Sequence, residues 1–210
     1  MSKKLLFLLP IAMLALTGCN GNKEEEKSSE DPVLSNIVID YTIFDGQELD
    51  SSSTYYKAFS FEREGLGFAT SGNKSVGLNA HRDGEQNGYN DNHIMQFKAA
   101  ISNIHNTAET KIKSVSIEWW TTYDTQTDAT YFPKVTAGDD DNVEGYTAVE
   151  CNEGSSLTGT AVEGVKQGSG DGYQVYKYVT TYTIPEGKGF VAFGAGAGAM
   201  YAKTVTIVRQ

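Results

Sequence analysis

The sequence predicts an all-β domain, a two-layer antiparallel β-sandwich of about nine or ten strands, and three observations carry that expectation. Apolar and polar residues alternate with a period of two in several windows. Short apolar runs are separated by Gly, Asp, Asn and Ser, and beyond Pro32 no stretch has a convincing amphipathic helical pattern.

The chain opens Met1-Ser2-Lys3-Lys4 and then runs from Leu5 to Leu16 without a charge. A spanning helix takes about 20 apolar residues, so this shorter run, interrupted by Pro10, reads as a secretory signal helix rather than a membrane span. The four residues Leu16-Thr17-Gly18-Cys19 resemble the lipobox of bacterial lipoproteins. That resemblance implies cleavage after Gly18, diacylglycerol on the Cys19 thiol, and a membrane anchor made of several acyl chains, palmitate among them. Residues 20–32 offer no apolar side chain to bury and read as a disordered acidic tether. Within them, Lys23-Glu24-Glu25-Glu26 resembles the acidic export tag that sends lipoproteins of some bacteria to the outer face of the outer membrane, which implies display at the cell exterior. The expected organisation is therefore a signal peptide over 1–18, a tether with the lipid-anchor Cys19 over 19–32, and a β-sandwich domain over 33–210.

The formal net charge is −10, and the exported part is more acidic still because Lys3 and Lys4 leave with the signal. A surface of that sign repels phosphate backbones, so nucleic acid is excluded as a partner. Once Cys19 carries lipid, Cys151 is the remaining thiol and no intramolecular disulfide can form. Cys151 follows Val149 on one face of an alternating run from Tyr146, which predicts a small buried hydrophobe; a catalytic thiol is the minor reading.

Strand by strand, Ile37, Ile39, Tyr41 and Ile43 alternate with their neighbours and predict a first strand over 37–44. Val115, Ile117, Trp119, Thr121 and Tyr123 repeat the pattern. Further strands are expected over 55–61, 93–98, 130–135, 147–151, 173–184, 190–193 and 201–208. Residues 99–104 fit a helical turn or two. The alternating Gly-Ala run over 194–199 lacks the strand-to-helix setting of a dinucleotide fingerprint and reads as a close-packed turn into the last strand.

The segments Ile104-His105-Asn106-Thr107-Ala108, Ile112-Lys113-Ser114-Val115-Ser116-Ile117 and Met200-Tyr201-Ala202-Lys203-Thr204-Val205-Thr206-Ile207 resemble paired strands of jelly-roll modules in secreted bacterial proteins. The region from about His93 to the C-terminus is similar in this way to carbohydrate-binding-module and galactose-binding-like sandwiches. These are strand patterns rather than site motifs, so the resemblance implies a jelly-roll-like fold more than a function.

Sugar recognition on a sandwich needs flat aromatic faces for stacking and polar groups for hydroxyls. Trp119 and Trp120 are adjacent in a strand and must point to opposite faces. Trp119 follows Val115 and Ile117 inward, while Trp120 shares its face with Glu118 and is expected to be an exposed platform. Tyr176, Tyr178 and Tyr182 line one face of 173–184, with Val175, Val179 and Thr181 on the other. These tyrosines are either a second stacking surface or half-buried strand residues, since aromatics favour sheets in any case.

Two acidic loops invite a structural Ca²⁺ reading. In the first, Asp83, Glu85, Asn87 and Asp91 offer oxygens around a glycine as an EF-hand loop does, but Ile94 stands where its bidentate glutamate belongs. The second holds Asp139 and Asp141. A solvated loop is the alternative for each. His81, His93 and His105 are scattered and suggest no zinc site, and no nucleophile elbow, zincin or P-loop motif occurs.

The reading that follows is a non-catalytic, cell-surface lipoprotein that binds an oligo- or polysaccharide through exposed aromatics near Trp120. A structural or adhesive protein that contacts a surface protein partner is the alternative, and a glycoside-active enzyme the third.

Overall fold

The computed structural model describes residues 34–50, 54–79, 85–99 and 102–210. The chain falls into two units, Met1–Pro32 and Val33–Gln210, and the described residues belong to the second. The expectations for the signal helix, Cys19 and the tether lie outside the described residues, as does Asp83. Among the described residues no helix is long and apolar enough to cross a membrane.

In chain order the strands are β1 (Ile37–Ile39), β2 (Ser60–Arg63), β3 (Leu66–Thr70), β4 (Val76–Leu78), β5 (Glu85–Asn87), β6 (Met95–Phe97), β7 (Asn103–Asn106) and β8 (Ile112–Thr121). They continue with β9 (Thr125–Gln126), β10 (Lys134–Gly138), β11 (Thr147–Val149), β12 (Leu157–Thr158), β13 (Thr160–Ser169), β14 (Tyr173–Thr183), β15 (Phe190–Gly194) and β16 (Met200–Arg209). A short α-helix, α1 (Gly88–Asp91), follows β5.

Two large antiparallel sheets stack as the expected sandwich. The eight-stranded sheet runs β4-β6-β16-β8-β14-β13-β5, with β1 also pairing β16, and the six-stranded sheet runs β11-β10-β15-β7-β3-β2. The small β12-β9 ribbon stands apart. Period-two alternation sends Val115, Ile117 and Trp119 of β8 and Val205 and Ile207 of β16 inward, where they meet Phe68, Ile104, Val135, Val191 and Phe193 of the facing sheet. These side chains are almost entirely removed from water, and each contributes roughly 1.5–3 kcal/mol by burial.

Three expectations need correction. The first strand stops at Ile39: the Asp40 side chain accepts hydrogen bonds from the Thr42 amide and hydroxyl, which caps a 3-10 turn over Tyr41–Phe44. Residues 103–106, which overlap the stretch over 99–104 read as helical, form β7 within the six-stranded sheet. The strand expected over 130–135 begins at Lys134, because Asp128 caps another 3-10 turn over Ala129–Tyr131.

Candidate functional site: an aromatic cleft at one end of the eight-stranded sheet

Trp120 does point away from Trp119, as alternation requires, yet it is only 5% exposed. The expected exposed platform is corrected by what covers that face. Tyr89 of α1, Ile94 and Val175 pack around the indole as a second small core, with Val162, Val165 and Tyr201 against it. The Trp120 Nε1–H donates to Glu118 at 2.9 Å and the Lys203 ammonium lies 6.0 Å from the ring centroid, so both the polar atom and the π face have partners. Glu118, expected beside a ligand, is thus occupied in holding the indole.

For the tyrosines of β14 the second of the two readings holds, that of strand residues packed in the core and not a stacking surface. Tyr178 and Tyr182 face the space between the sheets and are 3% and 2% exposed, Tyr176 packs half-buried against the same core, and the outward residue is Val179. Tyr178 stacks on Trp119 with ring centroids 4.6 Å apart. Its hydroxyl donates to the Tyr123 carbonyl at 2.8 Å, and the Tyr182 hydroxyl donates to the Pro133 carbonyl. Two buried hydroxyls therefore hold the two ends of the loop that joins β8 to β10. Burial pushes both phenols upward, so they remain protonated donors across the physiological range.

That loop carries the aromatic rings that do reach water. Tyr123 is 64% and Tyr131 51% exposed, and Tyr173, at the first position of β14, is 67% exposed. The three stand at the rim of one cleft of about 450 Å³ whose floor includes Tyr89, Trp120 and Tyr201. No Asp, Glu, Lys or Arg side chain lines the cleft among the described residues. Its polar groups are hydroxyls and the amides of Gln126 and Gln167. The Gln167 Oε1 accepts the Tyr89 backbone N–H at 2.9 Å, which fixes that carboxamide.

The Gly-Ala run after β15 is the close-packed turn that was expected, and it shapes the cleft. A Cβ on Gly196 would fall 2.3 Å from the Thr130 carbonyl oxygen, so only glycine lets the loop approach, and the Ala197 amide donates to that same oxygen at 2.7 Å. The Tyr131 ring then lies over Gly198, as the Tyr173 ring lies over Gly168. The cleft is open and rigidly walled, with flat apolar rings at its rim and neutral hydrogen-bonding groups between them.

No known family model and no curated protein matches the sequence. Among solved structures the chain is similar to the K2 cleaved adhesin domain of Lys-gingipain, at 14% identity and a TM-score of 0.34, over 88% of this chain and 95% of that one. It is also similar to a CBM4 structure at 15% identity and a TM-score of 0.24, over 85% and 86% of the two chains. A third is CBM28, a non-crystalline cellulose specific carbohydrate-binding module, at 8% identity and a TM-score of 0.28, over 78% and 85%.

A larger cavity, of about 550 Å³, opens beside β10 and β11, but its aromatic lining, Phe132 and Tyr182, is buried and offers no stacking face. Cys151 lies on this cavity, half-buried rather than sealed, and burial pushes its thiol up to about 11. Its Sγ donates to Glu153 at 3.2 Å, so the group is a protonated donor rather than a nucleophile.

The two acidic loops can be followed only in part, since Asp83 of the first lies outside the described residues. Among the described residues no three His, Cys, Asp or Glu side chains come together to hold a metal. Residues 85–87 run as strand β5, so their side chains alternate in direction rather than converging: Glu85 accepts from the Ser169 hydroxyl, while Asn87 turns its amide back to the Glu85 carbonyl. Asp91 is exposed at the end of α1. In the other loop Asp139 pairs with Lys188 at 2.8 Å and Asp141 is exposed.

Proposed function

We propose that this chain is a lipid-anchored surface protein whose sandwich domain binds glycans, without catalysis, in the cleft rimmed by Tyr123, Tyr131 and Tyr173. The observation that carries the reading is that these three exposed rings border one uncharged cleft and are backed by ordered structure. Aromatic faces presented to water on a rigid frame suit the C–H faces of sugar rings, and neutral amides and hydroxyls suit their hydroxyl groups.

The anchor is proposed from the lipobox-like residues ending in Cys19. Ser35, near the start of the described chain, is held by Arg209 through its carbonyl at 2.9 Å and its hydroxyl at 3.1 Å. Tyr201, in the floor of the cleft, lies at the opposite end of β16. Eight residue steps along β16 separate Tyr201 from Arg209, about 26 Å at ~3.3 Å per residue, so the end of the domain at which Ser35 is held lies away from the cleft.

The direct test is a glycan array probed with the full chain in detergent, together with the Tyr173→Ala variant. Glycan signals that the substitution removes are the expected result. Capture of a protein partner with no glycan signal would replace this reading by the adhesive one. Metabolic palmitate labelling that is lost in Cys19→Ala tests the anchor separately.

A further inference from the structure

A second cavity, of about 360 Å³, lies on the same outer face of the eight-stranded sheet and is lined by Tyr55, Asn79, Glu85 and Gln96 together with Gln167 and Tyr201. Gln167 and Tyr201 also line the aromatic cleft. The two cavities therefore share a wall rather than being separate depressions. That wall is rigid: the Gln167 carboxamide accepts the Tyr89 amide N–H at 2.9 Å, and the Tyr89 and Tyr201 rings pack with centroids 4.6 Å apart.

The strand register explains the alignment. Tyr55 bridges Gly77, Gly77 pairs with Gln96, Gln96 pairs with Tyr201, and the β16–β8 ladder that matches Ala202 with Trp119 brings Tyr201 beside Trp120. Cross-strand partners project to one face, so these residues form a row across the sheet. Four inter-strand steps of ~4.8 Å make it about 19 Å long. That length exceeds a single sugar ring.

The chemistry changes along the row. At the aromatic end, rings offer stacking surfaces. At the other end, the Gln96 and Asn79 amides each offer a donor and an acceptor, the pair that a sugar hydroxyl needs. Of the side chains lining both cavities among the described residues, Glu85 alone is charged, and it accepts a hydrogen bond from the Ser169 hydroxyl at 3.3 Å. Among the described residues neither lining includes a cation that would match a uronate carboxylate or a sulfate.

We propose that the polar cavity is a second subsite of the same site, and that the ligand is an uncharged glycan chain several residues long, laid across Tyr201 from the aromatic cleft into the polar cavity. This inference rests on the glycan-binding reading and extends it to a ligand class and a direction of binding.

Calorimetric titration of the full chain in detergent with neutral gluco-, xylo- and manno-oligosaccharides of two to six residues, and with polygalacturonate, tests the proposal. Affinity for at least one neutral series should rise about tenfold or more with length, while polygalacturonate stays weak. Gln96→Ala, chosen because Gln96 is partly exposed and belongs to neither buried core cluster, should lower hexasaccharide affinity severalfold and disaccharide affinity by less, at an unchanged melting temperature. Asn79→Ala provides a second variant with the same expected pattern. Equal affinity for all lengths, or a Gln96→Ala protein with undiminished hexasaccharide binding, would overturn the second subsite yet leave the aromatic cleft standing. Polygalacturonate binding as tightly as the neutral chains would overturn the ligand class. Absence of binding to every oligosaccharide would instead remove the glycan reading on which the proposal rests.

Discussion

The tyrosines of the β14 strand body and the tyrosines of the cleft rim are the same residue type with opposite fates. Tyr178 and Tyr182 are sealed between the sheets, whereas Tyr123, Tyr131 and Tyr173 stand more than half in water. The buried pair fills the core and uses its hydroxyls to grip Tyr123 and Pro133. The exposed set lies on the β8–β10 loop and at the first residue of β14, and Tyr131 and Tyr173 lie over glycines that add no side chain beneath the rings. In this molecule the strand interior supplies support, and the strand ends and loops supply the contact surface, a division common to sites built on rigid sheets.

The largest effect expected from that division is on stability. Trp120→Ala should cost about 3–5 kcal/mol, seen as a large fall in melting temperature, because it empties the small core shared with Tyr89, Ile94 and Val175. An undiminished melting temperature would mean that the indole is not the covered residue described. Next, Tyr173→Ala should change stability by less than about 0.5 kcal/mol while weakening glycan binding about tenfold, roughly 1.4 kcal/mol, measured by calorimetry.

Tyr178→Phe falls between the two classes and sharpens the contrast. It keeps the stacking on Trp119 and deletes one hydrogen bond, so about 1 kcal/mol of stability should go. Glycan affinity should also drop severalfold, since the Tyr123 end of the loop is released. A double-mutant cycle with Tyr123→Ala should show that the two affinity losses are not additive, whereas independent losses would deny the link.

The smallest effect is on pH dependence. Hydrogen bonds from the Thr130 hydroxyl and amide hold the Asp128 carboxyl below its ordinary 3.8. A depressed carboxyl contributes order above its unfolded value and loses it as pH falls through its folded one. Affinity that depends on the Tyr131 turn should therefore hold through neutral and mildly acidic pH and weaken only below the ordinary carboxylate range. Asp128→Asn should weaken binding at neutral pH and flatten that acid dependence.

Much of the fold was legible in the sequence because β8, β14 and β16 are long and alternate over much of their length, so one face of each must enter a core. The short pieces β3, β4 and β5 carry too few residues for a period to show. The longer β13 was missed because it is largely exposed and interrupted by Gly164 and Gly168, so it has no buried stripe to detect. The site was less legible. Alternation placed Trp119 and Trp120 on opposite faces but contains nothing about which segment covers a face, and α1 with Ile94 covers Trp120. It separated the tyrosines of 173–184 from Val175 and Val179, but which side met the second sheet depended on pairing between distant strands. Tyr131 carried a readable hint in the Gly-Ala run that packs against it. Tyr123 fell within an alternating run and Tyr173 at the edge of another, with no signal that either would mark a rim.

The claim that glycans are met by the loop tyrosines rather than by the indoles is tested most directly by titrating a Tyr131→Ala/Tyr173→Ala double variant with the neutral hexasaccharide that the unaltered chain binds best. A folded protein with a melting temperature within a few degrees of the original and affinity about 100-fold weaker is the expected result. The same melting temperature with undiminished affinity would contradict the account.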